Sequence, residues 1–268
     1  MPRLAVKVAY DGTRFHGSQR QPGLRTVEGD LLHALTRIGA LESAESARFL
    51  AASRTDAGVS AAGNVFAFNT GIPRERLLQA LNPHLRDLWA LAVAEVPEDF
   101  HPRKSHRRKY RYHLRRGGFD EARFREALAL FPGTHDFTGF ARIEAGQDPV
   151  RLLESVTVHE RGPYLDVELT APSFLWNQVR RIVGAGLSVA RGGAAVEDVR
   201  DVLARRRTLD LGLAPPEPLV LLDVAYAFPL EPDTGYAARL LGPAEEELTL
   251  RLALLRDFKD PAGPREPE

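Results

Sequence analysis

The chain has 268 residues, a formal net charge of zero at pH 7, a 44% share of hydrophobic residues and no cysteine. This length and apolar content suit one large or two small globular domains, whereas the lack of cysteine excludes disulfides, zinc–cysteine sites and thiol catalysis. No apolar run reaches about 18 residues, and the N-terminus enters a strand pattern directly, so we expect neither a membrane span nor a signal peptide.

The charge is balanced overall but unevenly distributed. A neutral total argues against a uniformly basic nucleic-acid binder, so any affinity for RNA must come from a local patch. Such a patch runs from Arg103 to Arg116 (RKSHRRKYRYHLRR), whereas acidic residues gather at Glu245–Glu247 and in the tail. Arginine carries nearly all of the positive charge, and its planar guanidinium suits phosphate contacts.

The first hundred residues predict the order strand, helix, strand, strand, helix, strand. Thr26 is suited to cap the first helix, and Pro73 occupies a favoured first-turn position of the second. A loop that contains Asp56 and two glycines joins the second and third strands. The six elements are predicted at 4–10, 27–38, 48–52, 65–68, 73–81 and 88–96.

The second part of the chain repeats this pattern less regularly. It predicts a basic strand, a helix, a loop of turn-forming residues (FPGTHDFTGF), an antiparallel strand pair, two helices and a final strand. Beyond residue 230 we expect an amphipathic helix from Pro243 to Asp257, for packing or dimer contact rather than chemistry. The elements before it are predicted at 105–114, 119–128, 151–160, 164–170, 174–190, 195–205 and 219–226.

Asp56 is the residue around which we organise the functional interpretation. It follows an arginine by two positions, in a loop between two apolar strands, which is a common way to hold a charged group rigid at a cleft. From these residues alone, an aspartate that hydrogen-bonds its own turn is the more frequent arrangement.

Five segments resemble signature motifs of the TruA family of tRNA pseudouridine synthases. They occur in the family's order and cover roughly the first 225 residues, which makes chance a poor explanation. The chain departs from the family at Ser18, Ser53 and Ser60, where the family has Trp, Gly and His. The matches are VAYDGTRFHGSQRQ to YDG…GWQRQ, SRTDAGVSA to GRTDAGVHA, DFHPR to FHAR, KYRY to RYRY, and FLWNQVRRIVG to FLHHMVRNIVG.

The resemblance implies an α+β fold of two similar ferredoxin-like or RRM-like halves. Each half is an antiparallel sheet with helices, and the two join into a continuous sheet with a central cleft. We place the first half, with the catalytic aspartate, at residues 1–103, the second at 104–230, and a C-terminal extension at 231–268. Strands dispersed among helices, with hairpin-like pairs, also indicate the α+β class.

The resemblance also assigns roles to individual residues. Asp56 is the catalytic carboxylate, acting on the sugar, on the ring or as a base, and Arg180 pairs with it. Tyr110 stacks against the target uracil, and Arg54 helps to extrude the nucleotide and fills the vacated space. Without the family, the common interpretations are a core tyrosine for Tyr110, an exposed helix arginine for Arg180 and a local salt bridge for Arg54. Cations expected to bind phosphate without reading sequence are Arg14, Arg20, Arg103, Arg107, Arg108 and Lys109.

We therefore expect a cytoplasmic tRNA pseudouridine synthase that acts on the anticodon stem-loop, at tRNA positions 38, 39 and 40. The implied partners are tRNA and a second copy of the chain. The isomerisation exchanges nothing with a cofactor, and no His, Asp or Glu cluster has metal-ligand spacing, so neither cofactor nor metal is predicted. A pseudouridine synthase with another RNA target, a noncatalytic RNA-binding protein and a nucleoside hydrolase stay open as alternatives.

Overall fold

The computed structural model describes residues 1–232 and 234–259. The chain forms one compact unit from Met1 to Leu230 and a second that begins at Glu231. The first unit holds ten strands, eight of which belong to a single sheet. With its five α-helices, this unit has the predicted α+β class.

The N-terminal elements follow the predicted order. Thr26 caps the first helix, since its hydroxyl accepts a hydrogen bond from the Gly29 N–H. The second strand is shorter than predicted because Arg48 has a φ of 49°, a left-handed conformation that a strand cannot contain. The elements are β1 (Arg3–Tyr10), α1 (Val27–Arg37), β2 (Leu50–Ala51), β3 (Ser60–Asn69), α2 (Arg74–Leu81) and β4 (Leu88–Val96).

The C-terminal elements differ from the prediction at several places, of which the start of the helix predicted at 174–190 is described with the site. The expected loop FPGTHDFTGF contains β6, and the expected strand over 151–160 is interrupted at Glu154 into β7 and β8, which lie in different sheets. The elements are β5 (Arg107–Arg115), α3 (Glu121–Leu128), β6 (Gly133–Asp136), β7 (Val150–Leu153), β8 (Ser155–Arg161), β9 (Tyr164–Ala171), α4 (Gln178–Ala190), α5 (Val196–Leu203) and β10 (Leu219–Ala225).

The large sheet has the strand order β4-β1-β3-β10-β5-β9-β8, and β2 also pairs with β3. Its neighbours are antiparallel except for β3 and β10, which are parallel. Both β2 and β10 lie on the edge of β3 that faces away from β1: β2 is opposite Phe66 and Ala67, and β10 is opposite Ser60 and Ala61. The connection from β2 to β3 carries Asp56. It therefore lies where the strand paired with this edge of β3 changes from β2 to β10.

The second unit contains helix α6 (Thr234–Lys259), which has Pro243 inside it. The helix begins nine residues before the predicted start at Pro243. Leu248, Leu252 and Leu255 are exposed and share one side of the helix, because residues four and three positions apart lie on the same face. The exposed Leu250 lies on the opposite side. Among the helices of the described residues, none is both long and apolar enough to cross a membrane.

Candidate active site

Asp56 has hydrogen bonds on both of its carboxylate oxygens. Arg180, in the first turn of α4, donates from Nη1 to Oδ2 at 2.8 Å. Trp176, two residues before α4, donates from its indole Nε1 to Oδ1 at 3.0 Å. The Asp56 side chain is still 27% exposed. The carboxylate is therefore fixed by two donors and remains accessible from solvent.

Arg180 is itself held by the protein backbone and by its own helix start. Its Nε donates to the Ala214 carbonyl at 2.8 Å, and Nη1 also donates to Asn177 Oδ1 at 3.3 Å. Asn177 has a φ of 64°, a left-handed conformation that asparagine tolerates better than most residues. The helix therefore begins at Gln178. Residues 174 to 177, which we predicted to be helical, lie outside it. Such strain costs about 1 kcal/mol or more and is typical of positions where geometry matters.

Tyr110 is a buried, neutral phenol within electrostatic range of Asp56. Its ring packs edge-to-face against Phe174, with 5.1 Å between the ring centroids, and its side chain hydrogen-bonds to Ser53. Burial raises the pKa of the Tyr110 hydroxyl to about 12, and the negative charge of Asp56 adds to the increase. The structure thus brings together Asp56, Arg180 and Tyr110, which come from three different elements.

The Asp56 loop is supported by the loop that follows β1. The Ser18 hydroxyl accepts a hydrogen bond from the Thr55 N–H at 2.8 Å, and the Ser60 hydroxyl accepts one from the Gly12 N–H at 3.0 Å. A Cβ atom on Gly12 would lie 2.1 Å from the carbonyl carbon of Val59, so only glycine fits there. Two of the three serines that depart from the family pattern therefore anchor this loop.

Arg108 is a buried structural residue and not the phosphate contact that we predicted. It shares the buried face of β5 with Tyr110 and is only 7% exposed. It donates to the Ser53 hydroxyl at 3.0 Å, and to the carbonyls of Pro172, Ala52 and Arg103 at 2.6, 3.1 and 3.0 Å. With these donors engaged inside the protein, Arg108 fixes the start of the Asp56 loop against β5.

Arg107 and Lys109 lie on the opposite face of β5 from Tyr110, because side chains alternate along a strand. Arg107 Nε is 2.7 Å from Glu154 Oε2, and Lys109 Nζ is 2.5 Å from Glu168 Oε2. Both expected phosphate contacts are thus paired with acidic residues and directed away from Asp56.

Arg20, Arg54 and Arg103, which we call the arginine trio, are exposed around Glu28. Burial raises the pKa of Glu28, and the positive charges of the trio act in the opposite direction. Their side chains form no hydrogen bond or salt bridge with other described residues. Arg14 is also exposed, and its Nε is 3.6 Å from Asp11 Oδ2. Of the cations predicted to bind phosphate, Arg20 and Arg103 are the most available, and Arg54 adds a third charge that is unpaired within the described part of the chain.

Trp176 and Arg142 belong to the site and were not predicted. The Arg142 guanidinium lies 4.1 Å from the centroid of the Trp176 ring, and the Arg142 N–H donates to the Trp176 carbonyl at 2.9 Å. The available sequence signal was an aromatic residue four positions before Arg180, where the family motif has histidine.

The family model and the relatives that match this chain share one description. The profile of a family described as tRNA pseudouridine synthase matches residues 127–227. The tRNA pseudouridine synthase A of Thermococcus sibiricus is 48% identical over 225 residues, which are 84% of this chain and 85% of that protein. The protein of the same name from Pyrococcus abyssi is 44% identical over 234 residues, 85% of this chain and 87% of its own.

Solved structures are much less similar. A crystal structure of a Cbf5–Nop10–Gar1 complex aligns with 69% of this chain and 45% of its own, at 12% identity and a TM-score of 0.35. A similarity this low says nothing about the function of the present site.

Proposed function

The chain belongs to the TruA family of tRNA pseudouridine synthases and is an isomerase, and we propose that it acts on the anticodon stem-loop of tRNA, at positions 38, 39 and 40. The choice of target follows from the family resemblance. The observation that supports catalysis at this site is the Asp56 carboxylate, which Arg180 holds at 2.8 Å while 27% of the side chain stays exposed. A fixed carboxylate that a nucleotide can reach is what the reaction requires.

The reaction moves a glycosidic bond without net oxidation or reduction. The bond between uracil N1 and ribose C1′ breaks, the base turns, and C5 joins C1′. C5 loses a proton and N1 gains one, so atoms and charge balance. Asp56 supplies the carboxylate that divides one difficult step into easier ones. Arg180 orients it through a charge-assisted hydrogen bond.

The target uridine must leave its stack before a carboxylate can reach it. Tyr110, whose hydroxyl responds to the charge of Asp56, is the ring that the resemblance assigns to stacking on the extruded uracil. Arg54 is exposed two residues before Asp56, where its guanidinium can occupy the space that the base leaves. Arg20 and Arg103 complete a local positive surface for the RNA backbone, which explains how a chain with no net charge binds a polyanion.

We infer that the first unit consists of two similar halves, residues 1–103 and 104–230. The support is that each half contributes four strands to the large sheet, and that these four have the order fourth, first, third, second: β4-β1-β3-β2 in one half and β10-β5-β9-β8 in the other. In this interpretation the site lies between the halves, since Asp56 comes from the first and both Tyr110 and Arg180 come from the second.

We also propose, from the family resemblance, a homodimer in the cytoplasm that binds one tRNA across both subunits. Light scattering of the complex checks the stoichiometry. Two chains per tRNA are expected, and a complex of one chain with one tRNA would contradict the proposal.

Pseudouridine detection on anticodon stem-loop transcripts tests the proposed function. Wild-type protein is expected to produce pseudouridine, and Asp56→Asn is expected to reduce the rate by at least about 1,000-fold, because the reacting group is lost. Asp210→Asn is the matched control. This exposed carboxylate pairs with Arg181, the neighbour of Arg180, at 3.2 Å, and its loss should leave the rate unchanged.

The alternatives give different results in the same experiment. Pseudouridine found only outside the anticodon arm of whole tRNA would indicate another RNA target. Binding of the stem-loop without pseudouridine from the wild type would indicate a noncatalytic binding protein. Release of free uracil would indicate a nucleoside hydrolase.

A further inference from the structure

Trp176 is an unusually exposed aromatic residue with a specific polar contact. Its side chain is 42% exposed, although large aromatic side chains are mostly buried. Its indole N–H is directed at Asp56 Oδ1, at 3.0 Å, across 120 positions of sequence. This is the carboxylate oxygen to which Arg180 does not donate.

The second donor matters because an aspartate carboxylate rotates easily. The torsion about its Cβ–Cγ bond is broad and nearly two-fold, so a single hydrogen bond leaves several orientations open. One donor on each oxygen removes this freedom. Arg180 fixes Oδ2 and Trp176 fixes Oδ1, so the oxygen that meets the substrate has a defined direction.

Arg142 contacts Trp176 both at its ring and at its backbone. The Arg142 guanidinium lies over the ring at 4.1 Å from its centroid, an attractive cation–π arrangement. The backbone of Trp176 accepts the Arg142 N–H at 2.9 Å. The left-handed Asn177 lies between Trp176 and the helix that carries Arg180, and both side chains meet the same carboxylate.

We propose that Trp176 is a positioning residue for Asp56, which fixes the orientation of the carboxylate through its indole N–H, and that Arg142 holds the indole in place. The inference rests on the proposed function and adds to it a group that acts on Asp56 and not on the uridine. The family motif has histidine at this position, so an N–H donor is also available there with a different ring.

The hydrogen bond can be tested without RNA. The chain has two tryptophans, Trp89 and Trp176, so its NMR spectrum contains two indole N–H signals, and Trp176→Phe assigns them. Removal of the acceptor in Asp56→Ala should move the Trp176 signal upfield and leave that of Trp89 in place. If the Trp176 signal stays unchanged in Asp56→Ala, the contact is absent and the inference is wrong.

The positioning role is tested by kinetics on the anticodon stem-loop. Trp176→Phe keeps a ring but loses the donor, and we expect kcat to fall about 10- to 100-fold, the range typical of misorientation. KM should change less than about threefold. Trp176→His restores an N–H donor and should recover at least about half of the lost rate on a logarithmic scale. Trp89→Phe is the control and should leave kcat unchanged.

Two failures can be told apart. If wild-type protein forms no pseudouridine, the proposed function is wrong, whatever the NMR result. If wild-type protein is active and the kcat of Trp176→Phe equals or exceeds the wild-type kcat, the function stands and the positioning role is wrong. Equal rates for Trp176→Phe and Trp176→His would also overturn the inference, because a merely structural ring would not distinguish them.

Discussion

At the scale of single residues, the guanidinium of Arg180 is held by three hydrogen-bond acceptors. It contacts Asp56 Oδ2, Asn177 Oδ1 and the Ala214 carbonyl, all within 3.3 Å. A lysine ammonium has no rigid fork with which to satisfy these three acceptors together. The identity of this cation should therefore matter as well as its charge.

We expect Arg180→Lys to lower kcat by about 100-fold, comparable to the loss of one electrostatic donor at a reacting group. Steady-state kinetics on the stem-loop provide the measurement. Arg181→Lys is a control on the same helix, because Arg181 pairs with the exposed Asp210. A kcat for Arg180→Lys within twofold of the wild type would contradict the role of the fork.

Arg54 is the residue whose removal should affect function without affecting stability. It is exposed and forms no hydrogen bond or salt bridge with other described residues, so Arg54→Ala should change the free energy of unfolding by less than about 0.5 kcal/mol. Its proposed role is to replace an extruded base. The loss of activity should therefore be large for a paired target uridine and small for an unpaired one, which already lacks a partner. Equal losses on paired and unpaired transcripts would exclude this role.

Part of this residue-level description could be predicted from sequence. Asp56 and Arg180 follow from their motifs, and the structure brings them together. The alternation of β5 separates Arg108 and Tyr110 from Lys109, but the pattern does not tell which face is buried, so Arg108 was wrongly expected to bind phosphate. Trp176 was missed because its partner is 120 residues away, a distance over which periodicity carries no information.

At the scale of elements, the packing of the loop after β1 against the Asp56 loop depends on Gly12. Ala at this position would place a Cβ atom 2.1 Å from the Val59 carbonyl carbon. Backbone cannot yield as a flexible side chain can, and overpacking of this kind costs about 1 to 3 kcal/mol.

We predict that Gly12→Ala lowers the free energy of unfolding by about 2 kcal/mol or more and also lowers kcat, because the clash displaces the Asp56 loop. Denaturant unfolding and stem-loop kinetics check both effects. Gly71→Ala is the control, since an added Cβ atom there would meet nothing within 4 Å. If Gly12→Ala has the same free energy of unfolding as the wild type, the two loops are not packed as described.

The pairing of β5 with β9 contains a carboxylate that links stability to pH. Burial pushes the pKa of Glu168 up, but hydrogen bonds from Lys109 and Arg111 outweigh it, so the pKa lies below its ordinary value. A carboxylate with a lowered pKa in the folded state stabilises the protein above its unfolded pKa of about 4.3, and this contribution is lost as the pH falls through the folded value.

We therefore expect Glu168→Gln to be less stable than the wild type by about 1 to 2 kcal/mol at pH 7, the range for a hydrogen bond to a charged group. The difference should shrink toward zero as the pH falls through the lowered pKa of Glu168 in the folded protein, because residue 168 is then neutral in both forms. Denaturant unfolding across this range provides the measurement, with the exposed Glu144→Gln as control. A difference that does not change with pH would contradict the assigned ion pairs.

Most helices and strands were predictable because their apolar residues have the period of the structure they form. The failures have local causes. β6 and β7 are short strands that pair only with each other, so neither has the apolar pattern of a core strand. The start of α4 is set by the left-handed Asn177, a backbone feature that apolar spacing does not reveal.

At the scale of the whole molecule, the sheet joins parts of the chain that are distant in sequence. The parallel contact of β10 with β3, in which Val220 lies opposite Ser60, places the end of the first unit beside the Asp56 loop. The resemblance predicted a continuous sheet, and one eight-stranded sheet is present. The pairing of β3 with β10 could not be read from composition or periodicity, because both describe each strand alone.

The central claim for the whole molecule is that Asp56 is the group on which isomerisation depends. The most direct measurement is single-turnover release of tritium from C5 of uridine in an anticodon stem-loop, with excess enzyme, for wild-type protein and Asp56→Asn. We predict full release by the wild type and none above background by Asp56→Asn, although the variant binds the stem-loop with a Kd within about threefold of the wild type. Tritium release by Asp56→Asn at the wild-type rate would contradict the account.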